Sequence, residues 1–315
     1  MRNDLAMVFP GQGAQSVGMM REFSAASPAV AARFERASAV LGFDLWTLVQ
    51  DGPAEALNRT ANTQPALLAA SVATWDVWCA QGGPEPAFMA GHSFGEYTAL
   101  VCSGALAYED AVALVADRGR FMQEAVAAGQ GAMAAVLGLD AGPLAEVCAE
   151  AAQGEIVQCA NLNAPGQVVL SGDRAAVERA GTIAKARGAK KVIPLSVSVP
   201  AHCALMNAAA AKFAPRVGVI AFTAPRIPVI HNVDVEAHAE PAAIRDVLIR
   251  QLASSVRWSE TIERFAKSGV RTVVECGPGK VLTPLVRRCA AELATFSLAL
   301  PADVTAAIAA LESQA

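Results

Sequence analysis

The sequence predicts an α/β fold: a mainly parallel sheet covered by helices, interrupted by a smaller inserted subdomain. Strand-like and helix-like segments alternate along nearly the whole chain, and from about Gly129 the rhythm changes. At 315 residues there is enough chain to bury a large core and still carry an insertion. "AMVF" at 6–9 reads as a buried strand stopped by "PGQG", and helices follow near 28–41 and 65–80. "AFMA" at 87–90 is a short strand running into Gly91, the segment from Glu96 is helical, and a further helix spans about 109–127.

Beyond Gly129, "GAMAAVLG" reads as a strand, 141–152 as a helix, "IVQCA" and "GQVVLSG" as two strands, 173–187 as a helix and "KVIPLSV" as a strand. That βαββαβ order is the pattern of a ferredoxin-like unit. Residues 129–197 are therefore read as the insertion, and 1–128 with 198–315 as the large subdomain. The large part resumes with a helix from about Ala201, a strand at "RIPVIHNV", helices near 241–267, a strand at "RTVVEC", and the turn "GPGK" opening another helix.

Composition excludes several classes. Hydrophobic residues are 54% and charged residues 17%, and no apolar run is long enough to span a membrane. The apolar stretch in "MRNDLAMVFPGQG" is only about five residues, too short for a secretory signal, so a cytoplasmic setting is expected. Seven cysteines without a C-x-x-C pair or a His/Cys cluster imply reduced thiols and no metal site. A net charge of −4 gives no general attraction to nucleic acid; an acidic partner has to be met by a local basic patch.

The chemistry is concentrated at "GHSFGEYTAL". G-x-S-x-G between a strand and a helix is a nucleophile elbow, in which small neighbours allow a tight turn that lifts the serine hydroxyl above the sheet edge. An incidental serine in a glycine-rich turn is the plain alternative; the strand before and helix after favour the elbow at Ser93. A serine needs a base, and His202, after a proline turn in "SVSVPAHCALM", stands in the serine-before-histidine order of α/β hydrolases. The large subdomain is accordingly read as an α/β-hydrolase-like core. His231 and His238 suit ordinary core or surface positions, and His92 adjoins the serine on a turn where neighbours point apart.

Arg118 lies on the apolar stripe of its helix, four residues from Leu114 and four from Met122, so it points inward. An unpaired guanidinium out of water costs several kcal/mol and demands a carboxylate. That partner is either internal, such as Glu96 or Glu124, or carried by the substrate.

In combination, "FPGQGAQSVGM", "GHSFGEYTAL", "RGRFMQEA", "NLNAPGQVVLSG", "SVPAHCALM", "IRQL" and "ECGPGKVL" resemble the malonyl-CoA:acyl carrier protein transacylases and the acyltransferase domains of polyketide synthases, over about residues 5–295. The resemblance implies Ser93 as nucleophile, His202 as base and Arg118 as the grip on the malonyl carboxylate. It implies an oxyanion hole from the backbone N–H groups of Gln12 and Phe94, and a main-chain carbonyl at Gln251 that orients His202. Asn161 and Asn163 are implied to line the cleft between subdomains. The substrates implied are malonyl-CoA and acyl carrier protein, with no cofactor, no nucleic acid and no membrane partner. Phe94 departs from the aliphatic residue common there in the family, and its apolar side chain resembles malonyl-selective rather than methylmalonyl-selective domains.

Alternatives share parts of this machinery: the acyltransferase component of malonate decarboxylase, a stand-alone polyketide acyltransferase, a serine esterase or thioesterase, and a non-catalytic carrier-docking module. "GPGK" is not a phosphate loop, since Val274 and Val281 stand where glycine and Ser/Thr are required. For an acidic carrier, Lys280, Arg287 and Arg288 form the first expected docking cluster, and Lys185, Arg187, Lys190 and Lys191 the second.

Overall fold

The computed structural model describes residues 2–196 and 199–313 and contains two separate sheets. The strands are β1 Arg2–Phe9, β2 Pro86–Gly91, β3 Gly131–Leu137, β4 Val157–Ala164, β5 Gln167–Asp173, β6 Lys191–Pro194, β7 Val229–Ile230, β8 Thr272–Glu275 and β9 Ala294–Ser297. One sheet runs β7-β2-β1-β8-β9 with every pairing parallel; the other runs β4-β5-β3-β6 with every pairing antiparallel. The expected subdomain boundary between 197 and 198, and the last residue of the expected "KVIPLSV" strand, lie outside the described residues.

Burial explains the sequence patterns. The C-terminal half of β1 is wholly buried, with Leu5, Met7 and Phe9 in one apolar cluster and Ala6 and Val8 in another, because helices cover both faces of the parallel sheet. The antiparallel sheet packs one face on the helices Ala141–Ala152 and Arg174–Ala186 through Val136, Leu144, Leu170 and Ala180. Its other face, carrying Met133, Ala160 and Val169, turns toward Leu195 and Ala201.

Several elements differ from the sequence expectation. The helix expected near 65–80 begins at Thr60 with Pro65 inside it; Thr60, Thr63 and Gln64 are fully buried, and this packing outweighs the preference of proline for a helix start. The expected strand 226–233 is reduced to Val229–Ile230, a short edge strand after which the chain turns to aim His231 and Asn232 inward. The helix expected from Ala201 begins only after a 3₁₀ turn at Ala204–Met206, since His202 has φ 62°, which no right-handed helix accommodates. The helices at 21–26, 45–51 and 54–57, strand β9 and the helix Pro301–Glu312 are additions to the sequence reading.

Candidate active site

β2 delivers the elbow. Its last residue, Gly91, is in register with Phe9 of β1, and the helix Gly95–Cys102 starts four residues later. Both glycines are needed for space: a Cβ at Gly91 would stand 1.8 Å from the backbone carbon of Gly95, and one at Gly95 would stand 2.4 Å from the Phe9 carbonyl oxygen. Ser93 itself has φ 55°, a left-handed conformation that persists only where the surroundings over-determine it. Asn232 supplies that constraint, accepting from the Ser93 N–H at 2.8 Å and donating to the Gly91 carbonyl at 2.7 Å.

His202 is buried, and its ring is fixed at both nitrogens. Nδ1 lies 2.9 Å from the main-chain oxygen of Gln251, which can only accept, so Nδ1 carries the proton. Nε2 is then free to accept from the Ser93 hydroxyl, 2.6 Å away. Burial, seconded by the positive charge of Arg118, pulls the His202 pKa down to about 3, so the ring stays neutral at physiological pH.

Arg118 is fully buried. Its Nη1 donates to Gln64 Oε1 at 2.9 Å, and its Nη2 donates to Gln251 Oε1 at 3.0 Å and Ser93 Oγ at 3.3 Å. Its Nε has no hydrogen-bond partner, and it forms no ion pair with a carboxylate of the described residues. Neither internal partner weighed from the sequence takes it. Glu124 pairs with Arg120 and Lys212, and Glu96 binds His231 Nδ1, the Asn232 N–H and Gln251 Nε2. Desolvation lowers the Arg118 pKa, opposed by Tyr97 and Glu96, but a guanidinium remains a cation in proteins.

Of the expected oxyanion donors and cleft residues, Gln12 and Asn161 line one cleft with Ser93 and His202. The backbone N–H groups of Gln12 and Phe94 meet no acceptor among the described residues, while the Gln12 side chain donates to Thr60 Oγ1 at 3.2 Å. A cleft of about 120 Å³ is lined by Gln12, His92, Ser93 and His202 on one side and by Met133, Asn161 and Leu195 on the other. Asn163 is not in that lining; its Oδ1 lies 2.8 Å from His92 Nε2, so it steadies the residue before the serine. Gln64 and Asn232 escaped the sequence reading. Their partners lie 54 and 139 residues away, and no local pattern marks such contacts.

The two basic clusters differ in how their charge is used. Lys280, Arg287 and Arg288 line an open surface pocket of about 670 Å³; Arg287 donates to Thr295 and Arg288 to the Pro165 carbonyl, with no ion pair to the described residues. In the second cluster Arg187 is bound by Glu146 and Glu150. The "GPGK" turn is closed to phosphate by the protein itself: buried Glu275 accepts from the N–H groups of Val281, Leu282 and Thr283 at the start of the following helix. A groove of about 460 Å³ beside Cys148 and Cys159 contains none of the expected site residues. Among the described residues no group of His, Cys, Asp or Glu could hold a metal ion, and no helix is long and apolar enough to cross a membrane.

Comparison with known proteins agrees with this geometry. The family model of the acyl transferase domain matches residues 6–309. The malonyl CoA-acyl carrier protein transacylase of Salmonella typhimurium is 55% identical over 303 residues, covering 96% of this chain and 98% of the relative. The corresponding enzyme structure from Coxiella burnetii superposes with a TM-score of 0.96 at 48% identity, covering 98% of this chain and 97% of that one. A malonyl-transacylase in complex with the acyl carrier protein of a type II polyketide synthase superposes with a TM-score of 0.96 at 51% identity, covering 98% and 99%. With a serine–histidine pair at a strand-to-helix elbow and this similarity along nearly its whole length, the chain belongs to the acyl transferase family, among the malonyl CoA-acyl carrier protein transacylases.

Proposed function

We propose that the chain transfers the malonyl group of malonyl-CoA to the phosphopantetheine thiol of an acyl carrier protein, for fatty acid synthesis, through a malonyl-serine intermediate. The Ser93 hydroxyl attacks the thioester carbonyl while His202 Nε2 takes its proton, and the backbone N–H groups of Gln12 and Phe94 receive the oxyanion. The tetrahedral adduct collapses, His202 returns the proton, and coenzyme A leaves as a thiol. The carrier's thiol then attacks the ester with His202 again as base, the same donors hold the second oxyanion, and on collapse the Ser93 oxygen leaves and takes the proton back from His202. The cycle needs only the two substrates and suits a cytoplasmic setting.

The same reading takes the parallel sheet as an α/β-hydrolase-like core of residues 1–128 and 198–315, and the antiparallel sheet as a ferredoxin-like insertion of residues 129–197. Support comes from the strand order β4-β5-β3-β6 with a helix after β3 and another after β5, the arrangement of a split βαβ unit. Asn161 faces the cleft from the insertion, and Asn163 acts through His92.

The observation that carries the proposal is Arg118: a buried cation beside the serine hydroxyl with no carboxylate in direct contact among the described residues, suited to an acyl group that brings its own. A serine esterase would use the same serine and histidine but has no need of this cation. The test is acylation by malonyl-CoA against acetyl-CoA. Arg118→Ala should lose about 2 to 5 kcal/mol of the malonyl preference and remain folded, while Arg118→Lys should recover part of it. An unchanged malonyl-to-acetyl ratio in Arg118→Ala would sink the assignment.

A further inference from the structure

Arg118 meets no carboxylate directly among the described residues, and its countercharge stands one amide away. Glu96, fully buried in the first turn of the helix Gly95–Cys102, accepts from Gln251 Nε2 at 2.9 Å. The same nitrogen donates to the Ser93 carbonyl at 3.0 Å, so both amide protons of Gln251 are committed to acceptors. The Gln251 amide therefore has a single orientation, and its oxygen meets Arg118 Nη2 at 3.0 Å. The other contacts of Glu96 run to the Asn232 N–H at 2.8 Å and His231 Nδ1 at 2.6 Å, so both carboxylate oxygens are held. A carboxylate in direct contact with Arg118 would fill the site that an acyl carboxylate has to occupy, whereas a carboxylate acting through an amide leaves it free.

We propose that Glu96 is a positioning residue for acyl selectivity, locking the Gln251 amide so that its oxygen holds the Arg118 guanidinium toward the carboxylate of the bound acyl group. The inference rests on the malonyl-transfer reading above. That reading stands or falls separately, on whether wild-type Ser93 is malonylated at all. Burial lowers the Arg118 pKa, and attraction to Tyr97 and to Glu96 opposes it, in keeping with a charge felt at this distance.

Glu96→Gln weakens the lock at constant shape. A neutral amide oxygen in the place of Glu96 Oε2 still accepts from Gln251 Nε2 and the Asn232 N–H but without the carboxylate charge, so the Gln251 amide is held less firmly and Arg118 loses its nearby countercharge. Initial rates of Ser93 acylation would be measured with malonyl-CoA and acetyl-CoA. The malonyl-to-acetyl ratio should fall about tenfold or more, mainly through a higher KM for malonyl-CoA. In an Arg118→Ala background the same substitution should leave the ratio unchanged, because the residue through which it acts is gone. Should Glu96→Gln fail to fold, Gln251→Met removes the amide while keeping the main-chain carbonyl that faces His202, and should lower the ratio in the same way. A wild-type ratio in whichever variant folds, equal loss of both acyl rates, or the same fall in both backgrounds would overturn the proposal.

Discussion

The two sheets divide the work unequally. The parallel half holds every fully buried charged side chain of the described residues, with Glu96, Arg118 and Glu275 all at 0% exposure, whereas the buried polar groups of the antiparallel half are the neutral Asn161, Asn163 and Ser171. Parallel strands end together, and there the Ser93 elbow, Glu275 and the turns after β7 and β8 meet helix N-termini, so donors and acceptors converge. The antiparallel sheet has its outer face filled by two helices and presents a nearly apolar wall to the cleft. Reactive groups thus sit on one rigid frame, while the second frame shapes and dries the space in front of them.

The strongest way to break this comparison is at the elbow. Ser93→Ala should abolish covalent labelling by malonyl-CoA, and His202→Ala should slow acylation by about a thousandfold or more with folding intact, since residues of such a pair act as a unit. Intact-mass measurement after mixing with malonyl-CoA reads both; an adduct that persists in Ser93→Ala would remove the chemistry from the parallel half.

A smaller effect of a different kind belongs to the second sheet. Leu170 is fully buried between β5 and its covering helices, so Leu170→Ala should cost about 2 to 5 kcal/mol in denaturant unfolding. At a temperature where the variant is folded, malonyl labelling of Ser93 should be close to wild type. A large loss of labelling in folded protein would mean that the antiparallel half takes part in the chemistry.

The smallest effect sharpens where the halves meet the carrier protein. Arg288 reaches from its helix to the Pro165 carbonyl of the turn between β4 and β5, so the first basic cluster borders both sheets, and its charges are not neutralised by ion pairs within the described residues. Reversal at Arg287 and Arg288 should raise the KM for carrier protein roughly three- to tenfold, more at low salt, and leave malonyl-CoA labelling unchanged. Reversal at Lys190 and Lys191 should do less, and the opposite ranking would move the docking face to the antiparallel half.

What the sequence determined by itself is local. Sterics over a few residues make Gly-x-Ser-x-Gly a tight turn, the helical repeat around Arg118 fixes which way its side chain points, and alternation of strand and helix patterns separates the parallel core from the βαββαβ segment. Where local rules failed, packing had overruled them, as at Pro65 inside its buried helix, or the element was too short to show a period, as in two-residue β7 and four-residue β9. Only the tertiary structure decided what Arg118 meets. An inward-facing charge can be read from periodicity, but the groups that receive it, Gln64 and Gln251, are 54 and 133 residues away and are brought together by the packing of helices on the sheet. The same holds for Asn232 on the elbow and for Glu96, plausible from sequence as a direct partner of Arg118, which the fold sets one amide short of it. Hydrogen bonds of that span leave no periodic trace, because each depends on two surfaces whose contact is fixed by the whole core.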